Sequence, residues 1–302
     1  MASRIARPRR RTLGLIALLL LAFVGGSIAW SFRPQPLLPE AQASLGAKPD
    51  TAFKKVGDSY EWMPPSMHYS VGLIIYPGAR VQPAAYGPLA QRIAAHGYLV
   101  VVASMPFNLA VLDIDAAGPI IAGHPEVTRW AIGGHSLGGA MAAQYVASHP
   151  GAIRGLALWA AYPPGDISAS GVAATSVYGT LDAGADKIAS AETRKLLPAD
   201  TVFVPIAGGN HEQMGWYTGQ PNDPPATLSR DDQQGLVADA TLAMLARVQG
   251  QPDQFPTPPG SSGASSSPGS PATGNSPAVT SPPVVRNSPP TGSSPAPSAS
   301  GS

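Results

Sequence analysis

Cysteine is absent from the 302 residues. That excludes disulfides, thiolate metal sites and a cysteine nucleophile, and leaves the redox compartment open. Charge is scarce as well, at 12% of residues, and it is balanced: 19 basic against 18 acidic side chains give a net charge of +1. Nothing in that balance draws the chain to nucleic acid, and no nucleic-acid partner is expected. No His-Glu-x-x-His pair, carboxylate cluster or P-loop lysine is present, so neither a metal nor a cofactor is expected. No internal repeat is visible.

Residues 12–32 carry no charge and are mostly apolar, and they follow Arg4, Arg7, Arg9, Arg10 and Arg11. Twenty-one residues rising ~1.5 Å each would span about 30 Å, the thickness of a bilayer core. Residues 1–11 read as a basic cytoplasmic segment and 12–32 as a transmembrane anchor, with the rest of the chain outside the cytoplasm. The alternative is a signal sequence cleaved near Ala43, where Ala41-Gln42-Ala43 supplies a small-residue site. Residues 33–60 read as a linker. Residues 251–302, mostly Pro, Ser, Gly, Thr and Ala, read as a disordered tail, because they offer too little apolar surface to offset the ordering entropy.

About 190 residues, 61–250, remain for one domain. Apolar runs at 71–76, 98–103, 129–133, 153–159, 174–178 and 201–206 predict strands. Helices are expected at 84–96, 113–123, 137–148 and 186–197. A last helix is expected from Ser229, where Ser229 and Asp232 form a capping box. In that helix Leu236, Ala240, Met244 and Val248 are expected to form an apolar stripe. The alternation predicts an α/β fold: a mostly parallel sheet with helices on both faces. Sites in such sheets lie beyond the carboxyl ends of the strands.

One run stands at such an end. Gly134-His135-Ser136-Leu137-Gly138 reads Gly-x-Ser-x-Gly, with a strand before it and a run of small residues with helical character after it. This pattern carries a serine on a strained strand-to-helix turn, with its hydroxyl lifted clear of the sheet. Serine is a weak nucleophile until a base takes its proton and a carboxylate orients that base. Asp182, in Gly179-Thr180-Leu181-Asp182, follows a predicted strand. His211, in Gly208-Gly209-Asn210-His211, follows the last one. The ring of His135 is expected to point away from the serine. The oxyanion donors are expected to be the backbone N–H groups of Leu137 and Ala79. Met214, Trp216 and Tyr217 could wall a substrate pocket, and Arg80 could pair with a substrate carboxylate.

In the order Ser136, Asp182, His211, with Pro77-Gly78-Ala79 and Met105-Pro106-Phe107-Asn108 upstream, the chain resembles the α/β-hydrolase superfamily over about residues 71–248. It looks most like the small bacterial "fold-5" branch, similar to dienelactone hydrolases and compact esterases. The resemblance implies a minimal or absent cap, in keeping with the short stretch 162–173 between two predicted strands. It also implies a serine hydrolase that cleaves carboxylic esters of small molecules or lipids through an acyl-enzyme. Pro77 departs from the histidine that many members carry before the oxyanion glycine. Two other readings use the same residues: an envelope acyltransferase and an inert binding protein of this fold.

Overall fold

The structure is a computed structural model that describes residues 33–66 and 68–251. The stretches read as basic segment and anchor, and the tail from residue 252, lie outside the described residues. Among the described residues no helix is long and apolar enough to cross a membrane.

Eight strands form one sheet: β1 (Ala52–Val56), β2 (Ser59–Met63), β3 (Val71–Tyr76), β4 (Leu99–Val102), β5 (Arg129–His135), β6 (Gly155–Trp159), β7 (Ala173–Gly179) and β8 (Val202–Ile206). Their order is β1-β2-β4-β3-β5-β6-β7-β8. The pairs from β4 to β8 are parallel, and β1 and β2 join antiparallel at one edge. All six residues of β3 are buried. Leu73 and Ile75 pack on one face and Ile74 and Tyr76 on the other, as the two-residue period of a strand requires.

Seven α-helices are described: α1 (Pro39–Ala43), α2 (Gly87–Ala94), α3 (Ala117–Gly123), α4 (Leu137–Ser148), α5 (Ala185–Ala189), α6 (Ala191–Lys195) and α7 (Arg230–Gln249). Helices α2 and α7 cover the face of Leu73 and Ile75, while α3 and α4 cover that of Ile74. Small residues let α4 sit close to the sheet: Gly138, Gly139, Ala142 and Ala143 are all buried. Residues 160–172, between β6 and β7, hold neither helix nor strand, so no cap domain is inserted there.

Several elements depart from the sequence expectation. Residues 33–60 are not a linker. They supply α1, β1 and the first two residues of β2, and the β1–β2 hairpin turns at Gly57, whose φ is +58°. The expected helix 186–197 breaks at Ser190, which is extended and caps α6 by accepting the Thr193 N–H at 3.2 Å. The expected helix 113–123 opens as a separate 3-10 turn, Ile114–Ala116. Its junction with α3 is held by Tyr76, whose hydroxyl donates to Ile114 O and accepts the Ala117 N–H. The capping serine of α7 is where the box places it, and Ser229 Oγ accepts the Asp232 N–H at 3.1 Å. The stripe on α7 is displaced. Leu236 is exposed, and the buried line is Val237, Thr241, Met244, Leu245 and Val248. Residues four apart drift about 40° per step round a helix of 3.6 residues per turn, so the ends of such a run face different ways.

Candidate active site

The strand tips set the site. Tyr76 lies opposite Gly134, His135 opposite Trp159, and Gly179 opposite Ile206, so the loops after β3, β5, β7 and β8 emerge side by side. Ser136 stands between β5 and α4 with φ 54° and ψ −122°. This conformation is costly for a residue with a Cβ, by ~1–3 kcal/mol, and persists only where the surroundings hold it. The Ser136 N–H donates to Trp159 O at 3.0 Å. The flanking glycines are needed for space: a Cβ on Gly138 would run into the carbonyl oxygens of Tyr76 and Pro77, and one on Gly134 would lie 2.5 Å from Tyr76 O.

The loops that carry Asp182 and His211 are laced together. The Thr180 N–H donates to Ile206 O, the Leu181 N–H to Gly209 O, and the Gly208 N–H to Thr180 Oγ1. Gly208 has a φ of +74°, and a Cβ on Gly179 would collide with the Gly209 main chain. Each carboxylate oxygen of Asp182 has a donor: Oδ1 accepts the Gly184 N–H at 2.6 Å, and Oδ2 lies 2.7 Å from His211 Nδ1. A carboxylate can only accept, so the proton sits on Nδ1 and leaves Nε2 with its lone pair. The Asp182 side chain is 3% exposed and that of His211 is 16% exposed.

Main-chain anchors fix the His211 loop. Asp223 accepts the His211 N–H at 3.1 Å and the Glu212 N–H at 2.7 Å. Burial holds the Asp223 carboxyl above its ordinary range. From α7, the fully buried Gln233 grips Asn210 twice, accepting its N–H at 3.1 Å and donating to its carbonyl at 2.8 Å. Arg230 reaches Glu212 O at 2.9 Å.

Ser136, Leu137, Asp182 and His211 line one cavity of about 560 Å³. Ala140, Ala160, Ala161, Tyr162, Pro164 and Ile188 form most of its apolar wall, and residues 220–223 close one side. Its charged lining is acidic, from Asp182 and Asp223, with no lysine or arginine. Ala79 is absent from the lining; it follows the tip of β3, next to the tip of β5. Among the described residues, the N–H groups of Ala79 and Leu137 have no acceptor. No cluster of three or more metal-ligating side chains occurs among the described residues.

Four sequence-predicted pocket residues lie elsewhere. Met214 and Tyr217 are fully buried in the core cluster that includes Tyr86 and Val237. Trp216 is half-buried and pairs through its main chain with Ala85 and Leu38. Arg80 has a φ of +63°, and its Nε donates to Arg33 O at 3.0 Å. In their place the wall comes from Tyr162, Ile188 and residues 220–223, and the supports from Asp223 and Gln233. None of these carries a local motif. Only the position of 160–172 and 220–223 after the sheet's carboxyl edge could have pointed to the wall.

A mostly parallel sheet with helices on both faces and a serine on a strained turn at its carboxyl edge defines an α/β-hydrolase fold. The family model described as the alpha/beta hydrolase family matches residues 72–235, and the chain belongs to that family, which makes it a hydrolase. No curated protein matches the chain.

Proposed function

We propose that the protein is a serine esterase acting on neutral carboxylic esters. The observation that carries this reading is the 2.7 Å bond between Asp182 Oδ2 and His211 Nδ1, in the same cavity that Ser136 lines from its strained turn. With Nδ1 protonated and bound to the carboxylate, Nε2 is free to take the Ser136 proton. Ser136 Oγ then attacks the ester carbonyl, and the resulting oxyanion is received by the N–H groups of Leu137 and Ala79. His211 passes its proton to the departing alcohol, leaving an acyl group on Ser136. A water deprotonated by His211 attacks that acyl group, and the acid leaves as the serine recovers its proton.

The lining supports a neutral substrate. A carboxylated ester would bring its charge beside Asp182 and Asp223 with no cation in the wall, and Arg80 is turned to Arg33 instead. The apolar wall suits a short or medium acyl chain. For location, the proposal is an exported protein held to the membrane through residues 12–32, on the strength of their uncharged sequence behind five arginines.

A panel of p-nitrophenyl esters of increasing acyl length, with p-nitrophenyl hemisuccinate beside them, tests the reading on the full chain. Neutral esters should turn over and the hemisuccinate should lag. Ser136→Ala should lower kcat by up to ~10⁶. Undiminished turnover in Ser136→Ala would remove the nucleophile from the scheme, and preference for the hemisuccinate would reverse the charge argument.

A further inference from the structure

His135, the residue before Ser136, is 1% exposed. Its ring rests against the ring of His211, with the ring centres 4.5 Å apart and the planes tilted by 52°. Its Nδ1 lies 2.9 Å from the hydroxyl of Tyr86, which is itself fully buried. That hydroxyl also accepts the Gly78 N–H at 2.9 Å. A phenol has one proton to give, and with the Gly78 N–H already on its oxygen, His135 Nδ1 is the acceptor we assign to it. Nδ1 is therefore unprotonated, and His135 carries its proton on Nε2. Nε2 is buried, and no partner meets it in good hydrogen-bond geometry.

We infer that Tyr86 and His135 are positioning residues that join the Gly78–Ala79 turn to the proposed base His211 and hold a neutral ring beneath it. The inference rests on the esterase reading for its consequence, and on geometry alone for its existence. Gly78 is one end of the link: a Cβ there would lie 2.7 Å from His135 Nδ1 and 3.2 Å from the Tyr86 hydroxyl. The ring of His211 is the other end, with its far side tied to Asp182.

Neutrality matters because His211 becomes an imidazolium when it takes the serine proton. A second cation 4.5 Å away would oppose that charge between two largely buried rings. Two features keep His135 uncharged. Burial opposes its protonation, and so does the charge His211 can carry, so it titrates well below the ordinary histidine range. In addition, the Tyr86 proton occupies the nitrogen that would have to be protonated. The other titratable groups around the pair are Tyr217, whose ring centre lies 6.1 Å from that of His135, Asp182 on the His211 ring, and Asp223 on the His211 main chain.

Two measurements on the full chain test the link. The first is nitrogen-15 NMR of labelled histidine in the resting protein. His135 should show the Nε2–H tautomer and no titration between about pH 5 and 9. In Tyr86→Phe that tautomer should no longer be held. The second is steady-state kinetics. Tyr86→Phe and His135→Phe should each lower kcat by about tenfold to a hundredfold with little change in KM, and the double variant should fall no further than either single one. A role in packing alone would leave His135→Phe, which keeps an aromatic ring without the ring nitrogens, close to wild-type kcat, and would overturn the inference. An Nδ1–H tautomer, or titration of His135 near neutral pH, would overturn it as well. The NMR reading stands even if no ester is turned over, so failure of the link and failure of the esterase reading are separable.

Discussion

Ser136 is held in a left-handed conformation by its neighbours rather than by its own preference. The N–H to Trp159 O, the crowding of Gly134 and Gly138 against Tyr76 and Pro77, and the short α4 residues beyond all converge on it. These constraints are written in a five-residue motif, which is why the serine was legible in the sequence. Asp182 and His211 were legible for a related reason: each follows a strand at a glycine-marked turn. The pocket wall was not. Met214 and Tyr217 share the apolar character of a pocket, but in this chain that character serves the core. Tyr162 and Asp223 come from separate loops and Ile188 from the short α5, with no spacing to connect them. Arg80 gives a residue-scale test. Its guanidinium is bonded to Arg33 O and is not part of the cavity lining, so Arg80→Ala should change kcat/KM for neutral esters by no more than about twofold, as expected away from substrate contacts. A tenfold loss in the ester assay would mean that the side chain meets the substrate after all.

The element that sequence reading missed is the strap of residues 33–46. Its three prolines and lack of an apolar period resemble a linker, and what holds it is main chain bonded to distant loops. The Gln35 N–H donates to Arg80 O at 2.8 Å, the Leu38 N–H to Trp216 O at 3.1 Å, and the Thr218 N–H to Pro36 O at 2.9 Å. Ser44 is buried, and its carbonyl accepts from Trp62 Nε1 at 3.0 Å and from Gln91 Nε2 at 3.1 Å. The strap therefore fastens the loop after β3 to the chain that follows His211. Ala41, in the proposed cleavage site, is fully buried in α1. A chain that begins at Ser44 loses the first three of these hydrogen bonds, each worth ~0.5–1.5 kcal/mol net. It should melt several degrees below a chain that begins at Arg33, since about 1 kcal/mol moves Tm by roughly 2–4 °C at this size. Equal melting temperatures in calorimetry would show that the strap only rests on the domain. The parallel strands, by contrast, were legible as uninterrupted apolar runs, because a strand covered on both faces has no polar side to show.

At the scale of the whole molecule, one edge of the sheet carries a pH-sensitive tie. His124 lies 3.2 Å from Glu61 on β2 and 2.9 Å from Glu126, and Tyr69 bonds Glu126 at 3.3 Å. The ring of Trp130 lies edge-on beside it. The hydrogen bond to Glu61 leads in raising the His124 pKa above the ordinary 6.5, against the opposing effect of burial. A raised folded pKa means that the tie contributes fully below about pH 6.5 and is lost as pH rises through the raised value. The gap in Tm between wild type and His124→Gln should therefore be a few degrees at pH 6 and shrink by pH 9, read by thermal melts. A gap that stays constant with pH would assign the effect to packing. At the carboxyl edge of the sheet, the proposed esterase activity requires that His211 activate Ser136. The most direct measurement of that activation is mass spectrometry of the full chain after treatment with a fluorophosphonate, with the adduct mapped by proteolysis. The expected result is one phosphonyl group on Ser136, with labelling lost in Ser136→Ala and strongly slowed in His211→Ala. An adduct elsewhere, or labelling of Ser136 at an unchanged rate without His211, would contradict it.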